Sequence, residues 1–79
     1  MMREEILTKL IQKTAEVLKV DPATLNENSR VKDLGLKSLE IVGIMSSFEE
    51  EYDCYIKYTD LMHAETIGQT ADMIAKMAE

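Results

Sequence analysis

The sequence predicts an all-α protein, a small four-helix bundle with a long loop between helices 1 and 2 and a short third helix. Three observations support this fold class. Apolar residues recur at steps of three and four in several segments, and no segment sustains a period of two. The length of 79 residues, 46% of them hydrophobic, suits one small core, so we expect a single domain over residues 1–79.

The first helix is predicted to start near the N-terminus and to end near Val20. Its apolar stripe consists of Ile6, Leu7, Leu10, Ile11, Val17 and Leu18. Because Pro22 pushes Asp21 out of the helical region, the helix ends before it, and a short helical turn can follow through Leu25. From residue 26 to residue 37 turn-forming residues replace the pattern. We therefore expect a long loop there, held by the apolar residues Val31, Leu34 and Leu36.

The second helix is predicted to run from an N-cap at Ser38 to Tyr52 or Asp53, with Glu40 in its first turn. Its buried face is predicted to consist of Ile41, Val42, Ile44, Met45, Phe48 and Tyr52. This helix follows the long loop directly, so its first turn is the most informative place in the chain.

The last two helices are short. The third is predicted to start at Thr59 or Asp60 and to include Leu61 and Met62. The fourth starts at Thr66, which is followed by Gln69 at the spacing of a capping box. Its apolar stripe consists of Ile67, Ala71, Ile74 and Ala78.

Charge is unevenly distributed over the chain, whose net charge is −6. Residues 38–56 contain five acidic residues and no basic one: Glu40, Glu49, Glu50, Glu51 and Asp53. Nucleic acid is disfavoured as a partner, since phosphate contacts need clustered lysine and arginine. A basic protein partner is predicted instead.

Several classes of function find no support in the sequence. The apolar runs are too short for a membrane-spanning helix, and no signal-peptide core follows the N-terminus, so we expect a cytoplasmic protein without membrane insertion. Cys54 is the single cysteine, and the single histidine, His63, has no convincing catalytic partner nearby. A metal could in principle be bound by Asp60, His63 and Glu65, but nothing in the sequence fixes a ligand geometry for it. We therefore expect neither an enzyme nor a metal site.

The remaining candidate is Ser38, at the junction of a glycine-containing loop and a helix. The stretch reads Asp33-Leu34-Gly35-Leu36-Lys37-Ser38-Leu39-Glu40. Backbone amides and the helix dipole favour an anion at such a junction, so a phosphodiester on Ser38 would be well placed. A separate enzyme can bring the base and the metal that this chain lacks. The plainer interpretation is that Ser38 only caps the helix.

This stretch, joined to the acidic segment Phe48-Glu49-Glu50-Glu51-Tyr52-Asp53, resembles the acyl carrier proteins, and the resemblance covers essentially the whole chain. The family pattern is Asp-Ser-Leu after a Leu-Gly pair, and its serine, which maps onto Ser38, is esterified by 4′-phosphopantetheine from coenzyme A. The resemblance implies the acyl-carrier-protein type of bundle and a freestanding, monomeric carrier rather than a catalyst. Such a carrier holds acyl intermediates as thioesters, with apolar residues of the bundle sheltering the acyl chain, in a specialised fatty-acid, polyketide or related pathway.

The resemblance also implies the partners, which are a phosphopantetheinyl transferase and acyl-loading and acyl-processing enzymes with basic docking patches. The residues it implies for recognition are Asp33, Lys37, Leu39, Glu40, Glu49, Glu50 and Asp53. Lys37 departs from the pattern, because the family usually has an acidic residue before the serine. This reversed charge favours the hypothesis of a specialised carrier with its own transferase or loading enzyme.

Other interpretations stay open at this point. The chain can be an acidic interaction module of the same fold that is never modified, or an acidic protein that binds a cation through residues 49–53. Leu39 can be an ordinary core residue. The three consecutive glutamates can be a solvated helix face.

Overall fold

The computed structural model describes residues 2–79 and contains four helices. They are α1 (Met2–Leu18), α2 (Ser38–Tyr52), α3 (Tyr58–Leu61) and α4 (Ile67–Met77). Two single 3-10 turns, Pro22–Thr24 and Val31–Asp33, lie between α1 and α2. Within residues 2–79 there is no strand, only an isolated antiparallel bridge between Arg30 and Thr66. The predicted all-α fold, with its long loop and short third helix, is confirmed.

Helix α1 ends at Leu18, two residues before the predicted end. Lys19 adopts a left-handed backbone conformation with a φ of 59°. Its N–H donates to the carbonyl of Glu16 at 3.3 Å, and the N–H of Val20 donates to the carbonyl of Ala15 at 3.0 Å. This pair of bonds is a Schellman motif, which satisfies carbonyls that the end of a helix leaves free. The helix is therefore closed by its own backbone before Pro22 is reached.

The core is formed by residues from every helix and from the segment before α3. Its buried residues are Ile6, Leu10, Ile44, Met45, Phe48, Ile56, Leu61, Ile67, Ala71 and Ile74. The prediction for Val42 is wrong, since its side chain is 45% exposed. Conversely, Thr14 and Ala15 are buried on α1, although neither belongs to the predicted stripe.

A polar cluster fastens α1 to the end of α2. Lys9 Nζ donates to Tyr52 Oη at 3.1 Å and also to the carboxylate of Glu51. Tyr52 Oη in turn donates to Glu5. The hydrogen bond from Lys9 to Glu51 is the main cause that raises the pKa of Lys9 above its ordinary value, so this cation stays charged.

The first part of the long loop is bound to the start of α4. We call residues 26–31 the anchored half. The N–H of Ile67 donates to the carbonyl of Ser29 at 2.9 Å, and the N–H of Gly68 donates to the carbonyl of Glu27 at 2.8 Å. The N–H of Val31 donates to the carbonyl of Glu65 at 3.0 Å. The loop carbonyls thereby satisfy amide groups that the first turn of α4 cannot satisfy itself.

The second part, residues 34–37, leads into α2, and we call it the open half. Leu34 and Leu36 are half-buried and pack against the core, as predicted. Gly35, between them, is exposed and adopts a φ of 74°, a conformation that favours glycine. This turn brings the chain to the first residue of α2.

The starts of the last two helices differ slightly from the prediction. Helix α3 begins at Tyr58, one residue early, and Met62 is its C-cap rather than a member. At α4 the N–H of Gln69 donates to Thr66 Oγ1 at 3.1 Å, which confirms the predicted cap. The Gln69 side chain accepts from the N–H of Glu65 at 2.7 Å, whereas a capping box would have it accept from Thr66.

Candidate functional site

Ser38 is exposed and is the first residue of α2, so its predicted role as N-cap is wrong. The cap is Lys37, whose backbone is extended with φ −82° and ψ 156°. The capping bond comes from Glu40, whose Oε1 accepts from the N–H of Lys37 at 2.8 Å. Because a carboxylate closes the helix start, the Ser38 hydroxyl is not needed for that purpose.

The surroundings of Ser38 suit a phosphodiester. The N–H of Ile41 is the first in α2 to reach a helical acceptor, the carbonyl of Lys37 at 3.0 Å. The amides of residues 38–40 precede it, and the positive end of the helix dipole lies with them. The Lys37 side chain is exposed and adds a cation next to the serine. Amides, dipole and ammonium group all favour an anion on the hydroxyl.

Apolar side chains are exposed along the same part of α2. Leu39 is 85% exposed, so the core interpretation of this residue is wrong. Val42 follows at the spacing that places two residues on one helix face. Beside the exposed Ser38 hydroxyl, this pair forms an apolar surface that the core does not use.

The acidic residues selected from the sequence fall into two groups. Glu50 and Asp53 on and after α2, and Asp33 at the end of the second 3-10 turn, are exposed. Glu40 and Glu49 are half-buried, and each carboxylate already accepts a backbone N–H; for Glu49 it is that of Ile56, at 2.8 Å. The structure therefore leaves fewer of these carboxylates free than the sequence suggests, since such contacts arise only once the chain is folded.

A cavity of about 570 Å³ lies beside the start of α2. It is lined by parts of all four helices and by the open half of the loop, including Leu36 and Ile41 on either side of Ser38 in the sequence. Its wall is largely apolar, with Leu10, Ile44, Met45 and Ile67 among the lining residues. Its size lies within the range of roughly 300–1,000 Å³ that is usual for small-molecule pockets.

One family model matches the complete chain. It is described as the C-terminal ACP domain of the highly reducing polyketide synthase sdgA, and the match covers residues 1–79. The chain belongs to the acyl carrier protein family. Its resemblance to that family, first indicated by the stretch around Ser38, is thereby confirmed.

Several acyl carrier proteins align with nearly the whole chain. That of Thermotoga maritima is 33% identical over 75 residues, covering 94% of this chain and 93% of the relative. That of Saccharopolyspora erythraea is 31% identical over 83 aligned positions, covering 99% and 87% respectively. The meromycolate extension acyl carrier protein of Mycolicibacterium smegmatis is 33% identical over 78 residues, covering 98% and 79%. These relatives are carrier proteins by name.

The described residues give little support to a metal site or to a membrane-spanning helix. His63 is exposed, and within residues 2–79 no three His, Cys, Asp or Glu side chains converge as metal ligands. The cation-binding interpretation of residues 49–53 thus has no support from the geometry. No helix in the described part of the chain combines the length and the apolar character needed to cross a membrane.

Proposed function

We propose that this protein carries acyl intermediates as thioesters on a 4′-phosphopantetheine arm attached to Ser38 Oγ, as a single acyl-carrier domain. Membership of the family supports this function, and the observation that carries the assignment to Ser38 is its exposed position at the first residue of α2, beside Lys37. When attached, the arm supplies a thiol, and a thioester on that thiol keeps the acyl carbon electrophilic and the neighbouring carbon acidic.

The chain itself contributes the hydroxyl that accepts the phosphopantetheine and an electrostatic environment that favours a negative charge there. In the attachment step Ser38 Oγ forms a bond to the phosphorus next to the pantetheine. The bond from that phosphorus to the bridging pyrophosphate oxygen of coenzyme A breaks, and 3′,5′-ADP leaves. The serine proton passes to a base of the transferase, which also brings magnesium. Lys37 and the first amides of α2 stabilise the negative charge that the product keeps next to the helix.

The exposed face of α2 is the proposed docking surface for partner enzymes. Leu39 and Val42 offer apolar contacts near the serine, and Glu50 and Asp53 offer charge near the far end. We expect Glu40 and Glu49 to contribute less, because their carboxylates already accept bonds within the chain. A partner with a basic patch some helical turns away from its active-site entrance would complement this face.

Intact mass tests the attachment. The purified chain is incubated with coenzyme A, magnesium and a broad-specificity phosphopantetheinyl transferase, in parallel with Ser38→Ala and Ser46→Ala. Ser46 is a matched control, since it is also an exposed serine on α2. We expect the parent and Ser46→Ala to gain one phosphopantetheine and Ser38→Ala to gain none. A gain by Ser38→Ala would assign the arm to another residue. No gain by the parent with several transferases, while Lys37→Asp is modified, would implicate Lys37 in partner selectivity. No gain by Lys37→Asp either would favour the unmodified interaction module.

We further propose that the carrier serves a specialised fatty-acid or polyketide pathway with a dedicated transferase or loading enzyme. Lys37 supports this, and so do a family model described by a polyketide synthase domain and a relative named for meromycolate extension. If the lysine selects the partner, Lys37→Asp raises the modification rate with a broad-specificity transferase. An unchanged rate would remove Lys37 from the argument.

A further inference from the structure

Two threonines line the cavity beside α2, and sequence patterns single out neither. Thr14 from α1 is 2% exposed and Thr70 from α4 is 7% exposed. They are the two buried polar residues of the described chain, and both lie among apolar lining residues. Burying a hydroxyl costs free energy unless it forms a hydrogen bond. Valine has nearly the same shape and no hydroxyl to satisfy, so each threonine adds to this wall a polar atom that an apolar cavity does not require.

The hydrogen bond of Thr70 defines what its oxygen can still bind. Thr70 Oγ1 donates its proton to the carbonyl of Thr66, one helical turn earlier, at 3.0 Å. A hydroxyl carries one proton and two lone pairs, so this oxygen is left with acceptor capacity only. A group that fits it must donate a hydrogen bond. A hydroxyl on a bound chain meets this requirement, and a methyl group or a ketone does not.

We infer that the acyl chain carried by this protein bears a hydroxyl group at a distance from the thioester, and that this hydroxyl donates to Thr70 Oγ1 inside the cavity. Thr14 lines the same cavity and supplies a second polar contact. The apolar residues, Leu10, Ile44 and Ile67 among them, hold the hydrocarbon part. The inference rests on the proposed attachment of the arm at Ser38, and it names a class of cargo that the attachment alone leaves open.

The test compares three cargoes of equal length on the full chain. Octanoyl, ω-hydroxyoctanoyl and (ω−1)-oxooctanoyl coenzyme A are each used with the transferase, and loading is verified by mass. The rate at which hydroxylamine cleaves each thioester then reports how much of the cargo is withdrawn into the cavity. In Thr70→Val we expect the ω-hydroxyoctanoyl thioester to be cleaved about fivefold faster than in the parent, the ratio that one net hydrogen bond supplies. The octanoyl and oxooctanoyl thioesters should not be cleaved faster.

Thr8→Val is the matched control. Thr8 Oγ1 also donates to a carbonyl one turn earlier, that of Glu4 at 3.0 Å, but Thr8 is exposed and does not line the cavity. This variant should behave like the parent with every cargo, and thermal unfolding of each variant shows that the fold is kept. Equal cleavage of the hydroxylated thioester in the parent and Thr70→Val would overturn the inference while the carrier function stands. Loading of the cargoes on Ser38→Ala as well would overturn the attachment at Ser38, and the inference with it.

Discussion

The two halves of the long loop are built in opposite ways. The anchored half, residues 26–31, exchanges three backbone hydrogen bonds with the start of α4, and its neighbour Gly68 approaches so closely that a Cβ there would lie 2.9 Å from the carbonyl oxygen of Glu27. The open half, residues 34–37, contains an exposed glycine around which a Cβ would meet nothing within 4 Å. The anchored half is held by hydrogen bonds and close backbone contact with α4, whereas the open half is held by the half-buried side chains of Leu34 and Leu36 on either side of a glycine turn.

The anchored half therefore contributes to the stability of the fold, and the open half leaves Ser38 accessible to another protein. Fastening the loop at α4 fixes where the chain leaves for α2, while the exposed turn at Gly35, three residues before Ser38, has free space around it. A carrier needs both properties, because its attachment site must be presented reproducibly and must also fit into the active site of another protein. Substitutions in the two halves should therefore have different effects.

The largest expected effect comes from Gly68→Ala. The added Cβ would meet the carbonyl oxygen and the Cβ of Glu27 at 2.9 and 3.0 Å, and neither can move without moving the loop. We expect a loss of about 2 kcal/mol in the free energy of unfolding, typical of overpacking, with the modification rate of Ser38 nearly unchanged. Urea denaturation measures the loss.

Gly43→Ala is the control for that substitution. Gly43 lies on the exposed face of α2, where a Cβ meets nothing within 4 Å. This variant should gain about 1 kcal/mol, since alanine is the better helix former. If Gly68→Ala is as stable as the parent, the anchored half is not held by close contact.

A smaller effect on stability is expected from Gly35→Ala in the open half. Its φ of 74° costs an alanine about 1 kcal/mol although space is available. The backbone that leads to Ser38 should shift to relieve this strain, so the modification rate should fall more than in Gly68→Ala. Gly35→Asn should lose less, because asparagine tolerates this conformation better. A rate equal to that of the parent would show that the open half does not position the serine.

The smallest effect should come from Arg3→Gln. Arg3 Nε donates to Asp72 on α4 at 2.6 Å, and Nη2 donates to Glu27 in the anchored half at 3.1 Å. These surface ion pairs add to the backbone bonds, but salt screens them. The variant should show a lower Tm than the parent at low ionic strength, and the difference should shrink as salt is added. A difference that persists at high salt would assign the role of Arg3 to packing.

Periodicity and caps predict the helices well, because they act over a few residues. Thr66 marks the start of α4 correctly, and the spacing of three and four residues between apolar positions places Met45 and Phe48 in the core. The ends are less predictable. Lys19 closes α1 in a left-handed conformation although lysine gives no signal for it, and Lys37 rather than Ser38 is the cap of α2.

The sequence predicts which residues belong to the candidate site, but not which contacts these residues form. The stretch around Ser38 suffices to select the serine and Leu39. The contact of Glu49 with the N–H of Ile56 depends on how the chain turns back after the end of α2. The position of Thr14 and Thr70 in one cavity depends on how α1 and α4 pack. Helical periodicity and caps do not contain this information.

The surroundings of Cys54 have a practical consequence for labelling. The side chain is half-buried, and burial, followed by the nearby charges of Glu49 and Asp53, raises the pKa of its thiol above the ordinary value. Less of it is therefore thiolate at neutral pH, and the thiolate is the form that reacts with alkylating reagents. On a chain that carries the proposed arm, a brief treatment with a maleimide should modify the exposed terminal thiol first. A fluorophore or a crosslinker can then be placed at the end of the arm while the native cysteine is kept.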